Sequence, residues 1–218
     1  MLTKLKQKVQ QLFSSEARAA HRIGLTPNAV TVLGFVLSFL AALAYAFVMT
    51  PSQWYLLLMA VVLLLASGFC DALDGILART YQQATAFGGF LDSLLDRYAD
   101  AFMFAGIIIS GACNLIAGLA ALASSLMVSY SRARAEAAGI KMESVGIAER
   151  PERIIILAVA SLSAIFWFPA LNVGVIIIAI LATVTVMQRG THAYKSLKNR
   201  SQEQKEEILS TVQTPVGS

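Results

Sequence analysis

Five aspartates in two neighbouring apolar segments are the residues of this sequence best suited to chemistry. Asp71 and Asp74 lie in one segment, and Asp92, Asp96 and Asp100 lie in the next. An aspartate at the centre of a bilayer costs roughly 2.5 to 3.5 kcal/mol, so each one there needs a wet cavity or a cation to offset that cost. Their presence in apolar segments therefore indicates a functional site.

The spacing of these aspartates predicts that their side chains converge. Asp71 and Asp74 are three residues apart and Asp92 and Asp96 are four apart, so each pair shares one face of a helix. At a rise of about 1.5 Å per residue, Asp71 lies about 12 Å inward from Arg79, and Asp96 lies about 10 Å inward on the following helix. Four carboxylates can therefore meet in one pocket that opens on one side of the membrane.

Four close carboxylates repel one another unless a positive charge is present. Oxygen ligands of this kind suit Mg²⁺ or Mn²⁺, and two such ions can stabilise the attacking and leaving oxygens of an in-line phosphoryl displacement. Gly75, directly after Asp74, offers the close backbone approach that a bulky phosphate ligand needs. We therefore expect a phosphoryl-transfer site with two divalent ions.

Two other interpretations of the aspartates stay open at this point. The acidic cluster could be paired with Arg79 and Arg97, or it could mark an ion pathway in an ion-coupled transporter. The sequence shows no inverted repeat and no pair of Gly/Pro-broken helices in matching halves, which counts against a transporter.

Composition indicates the elements that must position these residues. Of 218 residues, 57% are hydrophobic and only 14% are charged, against roughly a quarter charged in soluble domains. We predict an all-α integral membrane protein that forms a single domain over 1–218, with a six-helix transmembrane core over 31–187. Six apolar runs approach the length needed to cross a hydrocarbon core of about 30 Å: 31–49, 54–78, 90–110, 114–131, 154–168 and 171–187. The last two are short and need tilt or local bilayer thinning.

Lysines and arginines predict the orientation, because they are enriched in loops that stay in the cytoplasm. The turns around Pro51, Ala112 and Pro169 hold none, whereas the N-terminal segment, the other loops and the tail 188–218 hold nearly all. We expect a multi-pass protein of the plasma membrane with both termini and the active site on the cytoplasmic side. The net charge of +4 then reflects topology, and we expect no nucleic-acid partner.

The N-terminal segment 1–25 predicts an amphipathic helix lying in the membrane interface. Its apolar residues recur at helical spacing among lysines: Leu2, Leu5, Val9, Leu12 and Phe13. A partly disordered basic tail is the alternative. Thr26 or Asn28 is expected to cap the first transmembrane helix.

The aspartates belong to a longer pattern, Asp71-x2-Asp74-Gly75-x2-Ala78-Arg79-x8-Gly88-x3-Asp92-x3-Asp96. It resembles the signature of the CDP-alcohol phosphotransferases, and the six-span pattern extends this resemblance over most of the chain. The resemblance implies that Asp71, Asp74, Asp92 and Asp96 bind two metal ions, that Asp96 is the general base, and that the protein is a homodimer.

The same resemblance implies a binding site for the CDP group of a lipid donor. Gly88 is implied to allow close helix approach, and Thr26 and Pro27 belong to an N-terminal nucleotide contact that helix capping explains equally well. The implied contacts to CDP are Asn28, Thr31, Asp71, Asp74, Gly75, Ala78 and Arg79.

Two further segments, 129–136 and 146–153, resemble the phosphatidylinositol-phosphate synthase branch and its archaeal relatives. By that analogy Arg132, Arg134, Arg150 and Arg153 bind the phosphate of inositol 1-phosphate. The alternative is that these arginines only signal cytoplasmic topology. Arg132 and Arg134 are two residues apart, so an ideal helix cannot aim both at one site.

The resemblance leaves the substrates partly open. Residues 87–100 are closer to archaeal members, which implies CDP-archaeol as the donor, with CDP-diacylglycerol as the alternative. Glycerol 3-phosphate, then serine, are the alternative acceptors to inositol 1-phosphate. Asp100 continues the face of Asp92 and Asp96, where it either orients the acceptor or nearby waters, or pairs with an arginine.

Overall fold

The computed structural model describes residues 14–142 and 145–213, and over these residues the fold is all-helical. A 3₁₀ turn over Pro51–Gln53 precedes the third α-helix. The seven described α-helices are α1 Ser14–Arg22, α2 Pro27–Ala46, α3 Trp54–Thr80, α4 Ala86–Ile109, α5 Leu115–Ala137, α6 Arg150–Ala164 and α7 Ala170–Gln213. The prediction of an all-α fold is confirmed.

Within the described residues, four helices are long and apolar enough to cross a membrane: α2, α3 with its preceding turn, α5, and α7 as far as Gln202. The protein is therefore a multi-pass membrane protein. α4 is more polar than these four helices, because its 24 residues include three aspartates and Arg97. α6 is shorter, with only 15 residues. The count of six spans stays a prediction.

The described part of the N-terminal segment packs against the helical core. Ala17 and Ala20 of α1 are buried, and the ring of His21 stacks on the ring of Tyr81 with centroids 3.7 Å apart. The apolar residues that predicted the interfacial helix fall in 1–13, outside the described residues, so that helix also stays a prediction.

Side-chain caps set where two of the site-bearing helices begin. The Thr26 hydroxyl accepts a hydrogen bond from the Ala29 N–H at 3.3 Å, which makes Thr26 the N-cap of α2 as expected. The Thr85 hydroxyl accepts from the Gly88 N–H at 2.9 Å and caps α4. Both helix starts line one cavity, so the caps also define an edge of the site.

Glycines let α2 approach α3 and α4 closely. A Cβ at Gly34 of α2 would lie 3.0 Å from the Cβ of Cys70 on α3. A Cβ at Gly106 of α4 would collide with the carbonyl oxygen of Ala42 on α2. This close packing holds α2 against the two helices that carry the aspartates.

α7 packs against α5 and α6 and continues past residue 187, the predicted end of the last span. A Cβ at Gly174 would collide with Ala160 of α6, so these two helices are in close contact. Farther along, the Arg200 guanidinium donates to the carbonyls of Ala138, at 3.1 Å, and Gly139 at the end of α5. The segment predicted as a tail therefore begins as a continuation of this helix.

Candidate active site

Three of the predicted metal ligands come together between α3 and α4. One carboxylate oxygen each of Asp71, Asp74 and Asp92 lies within 4.8 Å of the others. These aspartates line a cavity of about 230 Å³, the aspartate cavity, which Thr31 and Asp96 also line. Carboxylate oxygens are the ligands that hard ions such as Mg²⁺ and Mn²⁺ prefer, so these three residues could hold a divalent ion.

Asp74 is held in place by α2. The Thr31 hydroxyl donates a hydrogen bond to Asp74 Oδ2 at 2.5 Å, and both residues are buried, at 8% and 7% exposure. Such a bond fixes the orientation of a carboxylate, as the outer hydrogen bonds of metal ligands commonly do. The structure thus connects Thr31, predicted as a nucleotide contact, directly to a predicted metal ligand.

A second cavity of about 500 Å³ adjoins the first and shares Thr31, Asp74 and Asp92 with it. We call it the glycine-lined cavity. It is lined by five of the seven residues predicted to contact CDP: Asn28, Thr31, Asp74, Gly75 and Ala78, together with Gly88 and Gly89. Asp71 lines the aspartate cavity instead.

Two close contacts shape this cavity. A Cβ at Gly88 would lie 2.8 Å from Asn28 Oδ1, so the glycine permits α4 to begin beside the Asn28 side chain. The Arg79 guanidinium lies over Gly75, 3.4 Å from where a Cβ would be. The sequence therefore keeps small residues where backbone and side chains must stay close together.

Arg150, at the start of α6, supplies positive charge among the aspartates. Its Nη1 lies 2.5 Å from Asp96 Oδ1 and 3.2 Å from Asp71 Oδ2, and its Nε lies 3.7 Å from Asp100 Oδ1. One guanidinium thus bridges carboxylates from α3 and α4. This arrangement compensates part of the negative charge in a partly buried site.

Asp100 is paired with a second arginine from α6. Arg153 Nη2 lies 2.5 Å from Asp100 Oδ2, and Arg153 Nη1 donates to the Ala148 carbonyl at 3.2 Å. Arg153 is only 4% exposed, so this ion pair is well shielded from water. Of the two roles considered for Asp100, the structure shows the arginine pairing.

A third cavity of about 560 Å³, the arginine cavity, lies beyond Asp96. Asp96 lines both this cavity and the aspartate cavity. Five arginines line it: Arg97, Arg132, Arg150, Arg153 and Arg189. The structure therefore brings three of the four predicted phosphate-binding arginines together with the predicted base.

Arg134 lies elsewhere. It lines a separate groove of about 800 Å³ between α5 and α7, beside Met127 and Leu197. Two residues along an α-helix correspond to a rotation of about 200°, so Arg132 and Arg134 face different sides of α5.

Sequence analysis missed Arg189, which lies near the middle of α7 and is only 2% exposed. Its guanidinium donates to the carbonyls of Val128 at 2.6 Å and Val145 at 2.8 Å, and it pairs with Glu149 at 2.8 Å. The only signal in the sequence is a cation two residues after the last apolar run, which cytoplasmic topology explains equally well.

The family now follows from comparison with known proteins. Residues 24–187 match the model of the CDP-alcohol phosphatidyltransferase family. The chain belongs to this family. The prediction of a CDP-alcohol phosphotransferase is confirmed, and it replaces the transporter interpretation of the acidic helices.

Relatives of this CDP-alcohol phosphatidyltransferase come from archaea and bacteria. An archaetidylinositol phosphate synthase of Pyrococcus horikoshii is 41% identical over 198 residues, covering 91% of this chain and 99% of the relative. A protein of the same name from Methanothermobacter thermautotrophicus is 44% identical over 182 residues, covering 82% and 88%. A phosphatidylinositol phosphate synthase of Mycolicibacterium smegmatis is 36% identical over 190 residues, covering 83% and 82%.

Solved structures of one relative resemble the fold. The phosphatidylinositol phosphate synthase of Mycobacterium tuberculosis with CDP-DAG bound matches with a TM-score of 0.71 and 34% identity, over 84% of this chain and 94% of that one. The same enzyme in complex with manganese and citrate also matches with a TM-score of 0.71 and 34% identity, over 83% and 88%. Together with the aspartate cluster, the manganese complex confirms the prediction of a divalent metal cofactor.

Proposed function

We propose that this enzyme transfers the phosphatidyl-type group of a CDP-activated lipid to inositol 1-phosphate and releases CMP. The observation that carries the proposal is the arginine cavity, where five arginines line a space that Asp96 also lines. A neutral alcohol needs only hydrogen bonds, whereas a phosphorylated one needs several cationic donors. The names of the archaeal and mycobacterial relatives support the same acceptor.

The glycine-lined cavity is proposed to hold the CDP group. Gly75 and Gly88 leave room for a diphosphate to approach the backbone, and the cavity reaches Asp74 and Asp92. Two Mg²⁺ or Mn²⁺ ions held by Asp71, Asp74, Asp92 and Asp96 would supply positive charge for the diphosphate and the departing CMP. The lipid part of the donor would extend from this cavity toward the membrane.

Asp96 is proposed as the general base because it lines both the aspartate cavity and the arginine cavity. Its carboxylate takes the proton from the acceptor hydroxyl, and the hydroxyl oxygen forms a bond to the phosphorus nearer the lipid. The bond from that phosphorus to the CMP oxygen breaks, and CMP leaves with the electron pair. Arg150, which contacts Asp96 and lines the acceptor side, would align the acceptor with the base.

We propose CDP-archaeol as the donor, because the two archaeal relatives are 41% and 44% identical to this chain and the Mycolicibacterium relative is 36% identical. CDP-diacylglycerol is the alternative donor. Glycerol 3-phosphate carries the same phosphate group and is the second candidate acceptor.

We further propose a plasma-membrane homodimer with six spans and both termini in the cytoplasm. At about 1.5 Å per residue, the 24 residues of α4 reach about 36 Å and the 15 residues of α6 reach about 22 Å. α4 can therefore cross a hydrocarbon core of about 30 Å, while α6 needs local thinning. Labelling of single cysteines on either side of inverted or right-side-out vesicles tests this topology, and light scattering in detergent tests the dimer.

CMP release by the purified protein tests the proposed reaction. CDP-archaeol and CDP-diacylglycerol are each supplied with Mg²⁺ or Mn²⁺ and with inositol 1-phosphate, inositol, glycerol 3-phosphate or serine. We expect CMP only when inositol 1-phosphate and metal are both present, and no CMP from Asp96→Asn. CMP formed with unphosphorylated inositol at equal rate would contradict the role given to the arginines, and CMP formed by Asp96→Asn would contradict the base.

A further inference from the structure

Thr185 of α7 anchors the loop that leads into α6. It is fully buried, at 0% exposure. Its hydroxyl oxygen accepts hydrogen bonds from the backbone N–H groups of Ile147 at 3.3 Å and Ala148 at 3.0 Å, and it donates to the Leu181 carbonyl at 2.9 Å. One hydroxyl therefore satisfies two successive backbone donors of a segment outside regular secondary structure.

The loop contacts Thr185 through its backbone. Gly146 has φ +122°, a conformation that glycine adopts far more readily than other residues. A Cβ at Gly146 would also collide with the Thr185 side chain. Both features show that the segment 145–148 packs closely against α7 at Thr185.

This anchor lies directly before the arginines of the acceptor side. The Ala148 carbonyl accepts a hydrogen bond from Arg153 Nη1 at 3.2 Å, and Arg150 begins α6 two residues after Ala148. One turn farther along α7, Arg189 Nε donates a hydrogen bond to the Val145 carbonyl at 2.8 Å. The backbone that carries Arg150 and Arg153 is therefore fixed to α7 at Thr185.

We propose that Thr185 is a positioning residue for the acceptor site: its hydroxyl sets the place of Arg150 and Arg153 without touching either substrate. The proposal rests on the proposed function, which assigns these arginines to the acceptor phosphate. Multidentate recognition of a phosphate depends on the placement of each guanidinium, so a shift of the loop weakens acceptor binding first. Arg150 also lines the aspartate cavity, but the glycine-lined cavity, proposed for the CDP group, is built from α2, α3, α4 and the loop between α3 and α4, and no residue of the anchored loop or of α6 lines it.

Thr185→Val tests the proposal, because valine keeps the branched shape and removes the hydroxyl. Thr183→Val is the matched control: Thr183 is exposed on the same helix, and its hydroxyl donates to the Ala179 carbonyl at 2.7 Å. Binding of inositol 1-phosphate is measured by equilibrium dialysis, and KM is measured separately for the acceptor and for the CDP-lipid.

We expect Thr185→Val to raise the acceptor Kd and KM roughly tenfold or more, since the buried N–H of Ala148 and the partly buried N–H of Ile147 both lose their partner. The KM for the CDP-lipid should stay within about twofold, as should every constant of Thr183→Val. Thr185→Ser keeps the hydroxyl and should restore acceptor binding, and Thr185→Cys, with a weak acceptor atom, should fall between serine and valine.

Unchanged acceptor binding in Thr185→Val would overturn the proposal, and so would equal rises in both KM values. If Thr185→Val does not fold, the acceptor Kd of Thr185→Ser is compared with that of Thr185→Cys. Equal Kd values for these two variants would refute the positioning role. Failure of the proposed function is distinguishable, because it would show as wild-type protein that binds inositol 1-phosphate but releases no CMP. The dialysis comparison would still decide the role of Thr185 in that case.

Discussion

Thr31→Val should weaken metal binding selectively. The Thr31 hydroxyl has one hydrogen to donate, and two acceptors lie near it: Asp74 Oδ2 at 2.5 Å and the Pro27 carbonyl at 3.1 Å. The shorter contact to a carboxylate is the stronger one. Valine keeps the side-chain shape but leaves Asp74 without this bond.

The expected magnitude follows from the burial of this contact. A hydrogen bond to a charged group contributes about 1.5 to 3 kcal/mol. Loss of an outer partner of a metal-binding carboxylate typically lowers metal affinity by about 10- to 100-fold. Because Thr31 is 8% exposed and Asp74 is 7% exposed, water has little access to replace the hydroxyl. We therefore expect the Mn²⁺ concentration for half-maximal activity to rise by about 10- to 100-fold.

Two measurements check this prediction. CMP release is titrated with Mn²⁺ at saturating substrates, and Mn²⁺ binding without substrates is followed by electron paramagnetic resonance. Thr31→Ser is the matched control, because it keeps the hydroxyl and should stay within about threefold of wild type in both assays.

An unchanged Mn²⁺ requirement in Thr31→Val would refute the reasoning. If the KM for the CDP-lipid rises while the Mn²⁺ titration stays the same, Thr31 contacts the nucleotide, as the family resemblance implies, and does not act through Asp74.

Three further predictions concern the other cavities. Asp96→Asn should lower CMP release by at least about 10²-fold even at saturating Mn²⁺. Substantial turnover in this variant would exclude Asp96 as the base. Arg153→Ala should raise the acceptor KM by roughly tenfold or more, since charge-assisted bonds are lost. The control Arg134→Ala should leave this KM within about twofold of wild type. Equal effects of the two substitutions in steady-state assays would show that the arginine cavity is not the acceptor site. Gly88→Val should raise the KM for the CDP-lipid by about tenfold, because its side chain collides with Asn28, and an unchanged value would place the nucleotide outside the glycine-lined cavity.

The chemistry of the aspartates could be predicted from the sequence because charge is costly inside a membrane. Asp71 and Asp74 share a helix face, as do Asp92 and Asp96, and helix geometry alone makes these pairs face a common space. The structure brings oxygens of three of them within 4.8 Å of one another. It also places Arg150 against Asp96, a long-range contact that spacing along one helix cannot predict.

The sequence by itself determined the fold class, the acidic cluster and the kind of ion it takes, since hydropathy, helical spacing and ligand chemistry are local properties. Only the tertiary structure decided which cations line the cavity beside Asp96. Arg132, Arg134 and Arg189 all obey the rule that places cations at cytoplasmic helix ends. Helical spacing indicates that Arg132 and Arg134 face different sides of their helix, but not which of them faces Asp96. Rotation about the axis of α5 turns Arg134 into a separate groove, and the packing of α7 against the loop before α6 buries Arg189 beside Glu149. Such differences depend on how helices pack against one another. Packing brings together residues that are far apart in the chain, and local sequence patterns do not encode which residues will meet.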